Sequence, residues 1–139
     1  MPMLFPPSAS SQTPQSILSS VPASTSPSSP HFLVFLSSVD PSTGKMWCGD
    51  CRDVEQVVDK VVPQGDQSQL VFVGERAEWK DSNSPWRQPP FNLSAIPTIV
   101  KVTASPAASS LDSHIESAPR LVENEMKDEA KLKAFVESS

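Results

Sequence analysis

Cys48 and Cys51, in the run Met46-Trp47-Cys48-Gly49-Asp50-Cys51-Arg52, are the 2 cysteines of this 139-residue chain, and they stand three positions apart. Thiols at that spacing can close into a small disulfide ring and reopen. If a helix opens at Cys48, residues three apart share one face of its first turn, which brings the two sulfurs together. A helix start also supplies unpaired backbone N–H groups and the positive end of the helix dipole, and both stabilise a thiolate on Cys48. That matters because the thiolate attacks disulfides and the thiol does not.

Blander readings are weaker. Zn²⁺ wants four ligands, and His31 and His114, the other soft donors, lie far off in sequence. A purely structural disulfide would close a loop of two intervening residues and constrain the unfolded chain very little. Trp47, Gly49 and Asp50 suggest a partly exposed turn, not a pair of inert core thiols. A redox role is the favoured reading.

The elements that must position the pair can be read around it. His31 to Ser37 (His-Phe-Leu-Val-Phe-Leu-Ser) is a continuous apolar run, the mark of a strand buried on both faces, and it is expected to be the central strand. Ser38 to Lys45 reads as a loop leading to the cysteines. Val54, Val57, Val58, Val61 and Val62 then recur at helical spacing, with Pro63 ending the helix. Leu70 to Val73, Thr98 to Val102 and Arg120 to Glu123 read as further strands. Asp81 to Pro90, with Pro85, Pro89 and Pro90, can hold no more than a short helical turn. Thr103 to Ala118 reads as a polar insert. Asn124 is expected to cap a last helix whose inward face is Leu132, Phe135 and Val136. The sum is an α/β fold, a central mixed β-sheet flanked by helices.

Residues 1–30 are rich in Pro and Ser, although Met3-Leu4-Phe5 could form a short edge strand and Ile17, Leu18 and Val21 one face of a short helix. Residues 31–139 form the expected domain, for which a hydrophobic content of 37% is enough. A formal net charge of −5 argues against nucleic acid and anionic membranes as partners. With no run of membrane-spanning length, no signal-peptide pattern and a lone Cys-x-x-Cys pair, the expected setting is the cytosol and the expected state a monomer.

Three segments in order make the pattern specific: Trp47-Cys48-Gly49-Asp50-Cys51, then Val73-Gly74-Glu75-Arg76 through Trp79-Lys80-Asp81-Ser82-Asn83, then Ala95-Ile96-Pro97-Thr98. Over residues 31–138 the chain resembles the small thioredoxin-related reductases of the thioredoxin domain-containing protein 17 family. The resemblance implies a thioredoxin-like fold, with a cis Pro97 facing the cysteine pair. It implies a disulfide reductase in which Cys48 is the nucleophile and Cys51 resolves the mixed disulfide. Electrons would come from NADPH through thioredoxin reductase, with no cofactor bound, and pass to small disulfides and selected protein cysteines. Peroxidase activity is also implied. A rival of another class is a redox-inactive or redox-sensing binding module on the same fold.

Two departures from the family pattern stand out. Gly49 occupies a position where the family usually has Pro, and the 103–118 insert looks longer than usual. Phe35 and its neighbours are apolar where ordinary thioredoxins carry a buried Asp, so proton transfer must use another group or water. Trp47 either packs on the domain or rims the pair, and Asp50 is either a first-turn carboxylate or a proton relay to Cys51. Trp79, Lys80 and Asp81 are either a loop anchor or a substrate-selecting surface.

Overall fold

The computed structural model describes residues 17, 25, 30–37, 39–40, 44–46, 48–62, 68–74, 76–81, 83–88, 91–103, 115–116 and 118–137. The apolar run becomes β1 (His31–Leu36), and all six of its residues are buried. It occupies an inner position because both of its faces must be covered. On one side it pairs in parallel with β4 (Ser68–Phe72), and on the other antiparallel with β5 (Thr98–Val102), which in turn pairs antiparallel with β6 (Arg120–Val122). The sheet order is β4-β1-β5-β6.

Alternation along β1 sends its side chains to two different layers. Phe32 meets Phe135 of the C-terminal helix α4 (Glu129–Glu137), with ring centroids 6.4 Å apart. Phe35, three residues on and therefore on the other face, packs against Trp86 at 6.0 Å and Phe91 at 5.2 Å. The helix that follows the cysteines, α1 (Gly49–Val61), packs with α4 and with α3 (Asn124–Lys127). Its apolar stripe is the one expected, with Val54, Val58 and Val62 buried and Val57 and Val61 partly so. Val62 is extended (φ −78°, ψ 130°), the conformation that Pro63 imposes on the residue before it.

Several boundaries differ from the sequence reading. The segment read as the loop Ser38–Lys45 contains a small hairpin, β2 (Val39–Asp40) with β3 (Lys45–Met46), turned by Gly44 at φ +71°. A helix, α2 (Arg76–Lys80), precedes the proline-rich stretch, which holds a 3₁₀ turn at Pro85–Arg87. The last helix is two helices, and Asn124 does not cap it. Asn124 is the first residue of α3, whose capping position is Glu123, and Asp128 caps α4 by accepting a hydrogen bond from the Lys131 N–H at 3.1 Å. An Asp placed three residues before an amide competes well for that position. Leu132 is buried and Phe135 and Val136 are half-buried, the inward face foreseen, and Met126 joins them.

The expected strand Met3–Phe5 lies outside the described residues. Of the expected helix, Ile17 alone is described; it is helical and buried in the core, so the Pro/Ser-rich segment contributes to the domain. The 103–118 insert likewise returns an apolar anchor, Ile115, whose carbonyl accepts a hydrogen bond from the Arg120 guanidinium at 3.2 Å.

Candidate active site

One end of the sheet collects the segments singled out above. β1 and β4 run in parallel and finish together, with Leu36 opposite Phe72. The amide of Val73 extends this pairing to the carbonyl of Leu36 at 3.0 Å. β5 runs the other way and begins there, with Thr98 opposite both Phe35 and Val122. Ser37, Gly74, Pro97 and Glu123 therefore all stand at this end. The Ile96–Pro97 peptide is cis.

Cys48 is the N-cap of α1. Its backbone is extended (φ −88°, ψ 117°), its carbonyl accepts from the Arg52 N–H at 3.1 Å, and its Sγ accepts from the Cys51 N–H at 3.4 Å. Sulfur here does what a Ser or Asp oxygen does at an ordinary helix start, satisfying an amide that the helix leaves unpaired. Negative charge on this sulfur is favoured by that N–H and by the helix dipole. Cys48 is partly exposed, whereas Cys51 is fully buried. Both are thiols.

Ser37 links the two. Its amide donates to Cys51 Sγ at 3.4 Å, and its Oγ accepts from the Cys48 N–H at 3.3 Å. The Cys51 thiol is pushed far up, first by its hydrogen bond with Cys48 and then by burial, while Ser37 pulls the other way. The pair is therefore electrically unequal. Cys51 is the sulfur held in its protonated form.

Sequence reasoning missed Ser37 as part of the site and treated it only as the end of a strand. The available signal was a lone hydroxyl closing an otherwise apolar run directly before the redox loop, in a chain without a buried carboxylate in that strand.

Gly49 is exposed, and a Cβ built on it would meet nothing nearer than Arg52 Nη2 at 3.6 Å, so its backbone does not require glycine. Trp47 and the Asp50 side chain lie outside the described residues. Trp79 is buried rather than presented to a substrate. Arg87 stacks 4.1 Å over its ring and donates from Nε to its carbonyl at 2.6 Å, which makes Trp79 the anchor of its segment. Lys80 and Asp81 are exposed, and Asp81 Oδ1 accepts from the Asn83 N–H at 2.8 Å. Among the described residues there is no group of three or more His, Cys, Asp or Glu side chains able to hold a metal ion, and no helix long and apolar enough to cross a membrane.

A four-stranded mixed sheet with a helix that starts on Cys-x-x-Cys, and a cis-proline at the end of the sheet where β1 finishes, defines a thioredoxin-like protein. A family model described as "Thioredoxin domain-containing protein 17-like, thioredoxin domain" matches residues 11–128, and the chain belongs to that family. It is 32% identical over 102 residues to "Thioredoxin-like protein Clot" of Arabidopsis thaliana, covering 70% of this chain and 76% of the plant protein. It is 37% identical over 73 residues to "Thioredoxin domain-containing protein 17" of Homo sapiens, covering 50% of this chain and 58% of the human protein.

Proposed function

We propose that the chain is a protein-disulfide reductase in which Cys48 attacks a substrate disulfide and Cys51 resolves the product. The observation that carries this reading is the unequal placement of the sulfurs. One is partly exposed and cradled by a helix-start amide, and the other is buried and holds its proton.

In the first step the Cys48 thiolate bonds to one substrate sulfur. The other substrate sulfur leaves as a thiolate and takes a proton from water. In the second step Cys51 loses its proton to water and attacks Cys48 Sγ. The bond from Cys48 to the substrate breaks, the Cys48–Cys51 disulfide forms, and the second substrate thiolate leaves. Two electrons have then passed from the dithiol to the substrate.

The proposed source that restores the dithiol is NADPH through thioredoxin reductase, and the cycle needs no bound cofactor. The proposed substrates are small disulfides and selected protein cysteines, met by a monomer in the reducing cytosol. Peroxide is a further proposed oxidant. Cys48 thiolate attacks one peroxide oxygen, the O–O bond breaks, the other oxygen leaves as hydroxide, and Cys48 becomes a sulfenic acid. Cys51 condenses with that group to release water and form the same disulfide.

The test is NADPH consumption by the full chain with thioredoxin reductase and cystine or insulin. Consumption that scales with the protein and disappears in Cys48→Ser is expected. None, with both thiols titratable in the sample, overturns the reading in favour of a redox-inactive binding module.

A further inference from the structure

Ser37 makes contacts that neither strand pairing nor core packing requires. It is fully buried at the end of β1 and has one hydroxyl proton to give. Its Oγ accepts from the Cys48 N–H at 3.3 Å, and its amide donates to Cys51 Sγ at 3.4 Å. One residue thus ties both cysteines to the end of β1, Cys48 through its backbone and Cys51 through its sulfur.

We propose that Ser37 is the positioning residue for resolution of the mixed disulfide, its amide holding Cys51 Sγ as that sulfur becomes the attacking thiolate and its hydroxyl holding the Cys48 backbone against it. This deepens the dithiol reductase reading and rests on it. Once Cys48 is tied to a substrate sulfur, the hydrogen bond by which it held the Cys51 proton in place is lost. Burial then opposes ionisation of Cys51, and the Ser37 amide offsets it. The Cys51 proton leaves to water, the new S–S bond forms to Cys48, and the substrate departs as a thiolate. Ser37 gains and loses no electrons, and its hydroxyl keeps its own proton throughout.

The experiment uses the full reduced chain and an aromatic disulfide that releases a coloured thiolate at each step, followed by stopped flow. The first phase reports attack by Cys48 and the second reports resolution by Cys51. Ser37→Ala is expected to slow the second phase about tenfold more than the first, the size of one lost hydrogen bond. Losing the hold on the Cys48 N–H loosens the approach of the two sulfurs that resolution needs and the first attack does not. Mass spectrometry of quenched samples should show the Cys48 adduct accumulating. Ser37→Thr keeps the hydroxyl and is expected to restore the ratio of the two rates. Ser37→Gly, which also lacks the hydroxyl, serves as a second variant should the alanine protein fail to fold.

An unchanged ratio in a folded hydroxyl-free variant, or equal slowing of both phases that Ser37→Thr does not repair, overturns the proposal. A wild-type protein that releases only one thiolate per chain overturns the reductase reading itself, which is a different result.

Discussion

Two regions flank the functional end of the sheet, and they are held in opposite ways. The redox turn, residues 48–52, is fixed by two amides on sulfur at 3.4 Å and by the Cys48 N–H on the Ser37 hydroxyl at 3.3 Å, with one sulfur partly open to the surface. The segment from Trp79 to Leu93 is fixed by burial of its described aromatic residues. Trp86, Phe91 and Phe35 form one aromatic cluster, Arg87 clamps Trp79, and the Leu93 N–H returns to the Trp86 carbonyl at 3.0 Å. Bonds to sulfur are weak and can be exchanged, which suits atoms that must swap partners in each cycle. Aromatic contacts contribute about 0.5–1.5 kcal/mol each beyond their buried area and do not respond to oxidation state. What reacts is lightly held, and what frames it is not.

The largest effect that would sharpen this contrast is chemical. Cys48→Ser is expected to abolish turnover, and Cys51→Ser to trap a mixed disulfide detectable by mass spectrometry. Limiting alkylation of the reduced protein should label Cys48, and preferential labelling of Cys51 would reverse their roles. In the framing segment, Trp86→Ala should cost about 3–5 kcal/mol in denaturant unfolding, the range for truncating a buried aromatic. Where that variant remains folded, the alkylation rate of Cys48 should stay near wild type; a parallel loss would show that the two regions are one unit.

A third effect follows from pH. The Cys51 thiol is raised in the folded protein, so the native state holds a proton that the unfolded chain releases near pH 9, the ordinary thiol value. The stabilisation is complete below that pH and is lost as pH rises beyond it. The thermal midpoint of the dithiol form should therefore fall above about pH 9, and Cys51→Ala should flatten that decline.

Smaller effects come from the backbone. Glu123 is held at φ 48°, ψ −113°, a region that glycine visits freely and other residues enter at a cost of about 1–3 kcal/mol. Glu123→Gly should raise stability by about 1 kcal/mol, less than the full strain because glycine also gains freedom in the unfolded chain. That is a rise of about 3 °C in thermal midpoint. Gly49→Pro should add about 0.4–1 kcal/mol, since the first helical position needs no N–H and proline presets its φ. Its redox potential, measured against a defined glutathione buffer, should shift from wild type; identical potentials would mean that residue 49 does not tune the couple.

The central strand, the valine stripe and the cysteine pair were legible because each depends on a local period or spacing, and residue types alone display those. The hairpin at Val39–Asp40 and Lys45–Met46 was not, because strands of two residues carry no period. Asn124 was a sound capping residue by type, but the chain's entry through Glu123 left that role to Asp128 in the next helix. Ser37 was missed for a different reason. Its importance lies in contacts across 11 and 14 residues, which only the closing of the redox loop onto β1 creates. Trp79 shows the reverse case, where the residue type allowed an anchor or a surface and only burial decided between them.

The carbonyl of Pro97 accepts the Glu123 N–H at 2.8 Å, and the Thr98 hydroxyl closes onto the Ala95 carbonyl at 2.7 Å. Both ties run to β5, its own approach and the end of β6, and neither runs to the helix that carries the sulfurs. The 95–97 corner is thus an anvil bolted to the sheet, while the hammer sits on a separate mount. Under the proposed cycle the sulfurs change partners while the bonds that hold this corner stay as they are, so the end of the sheet keeps one shape through both oxidation states.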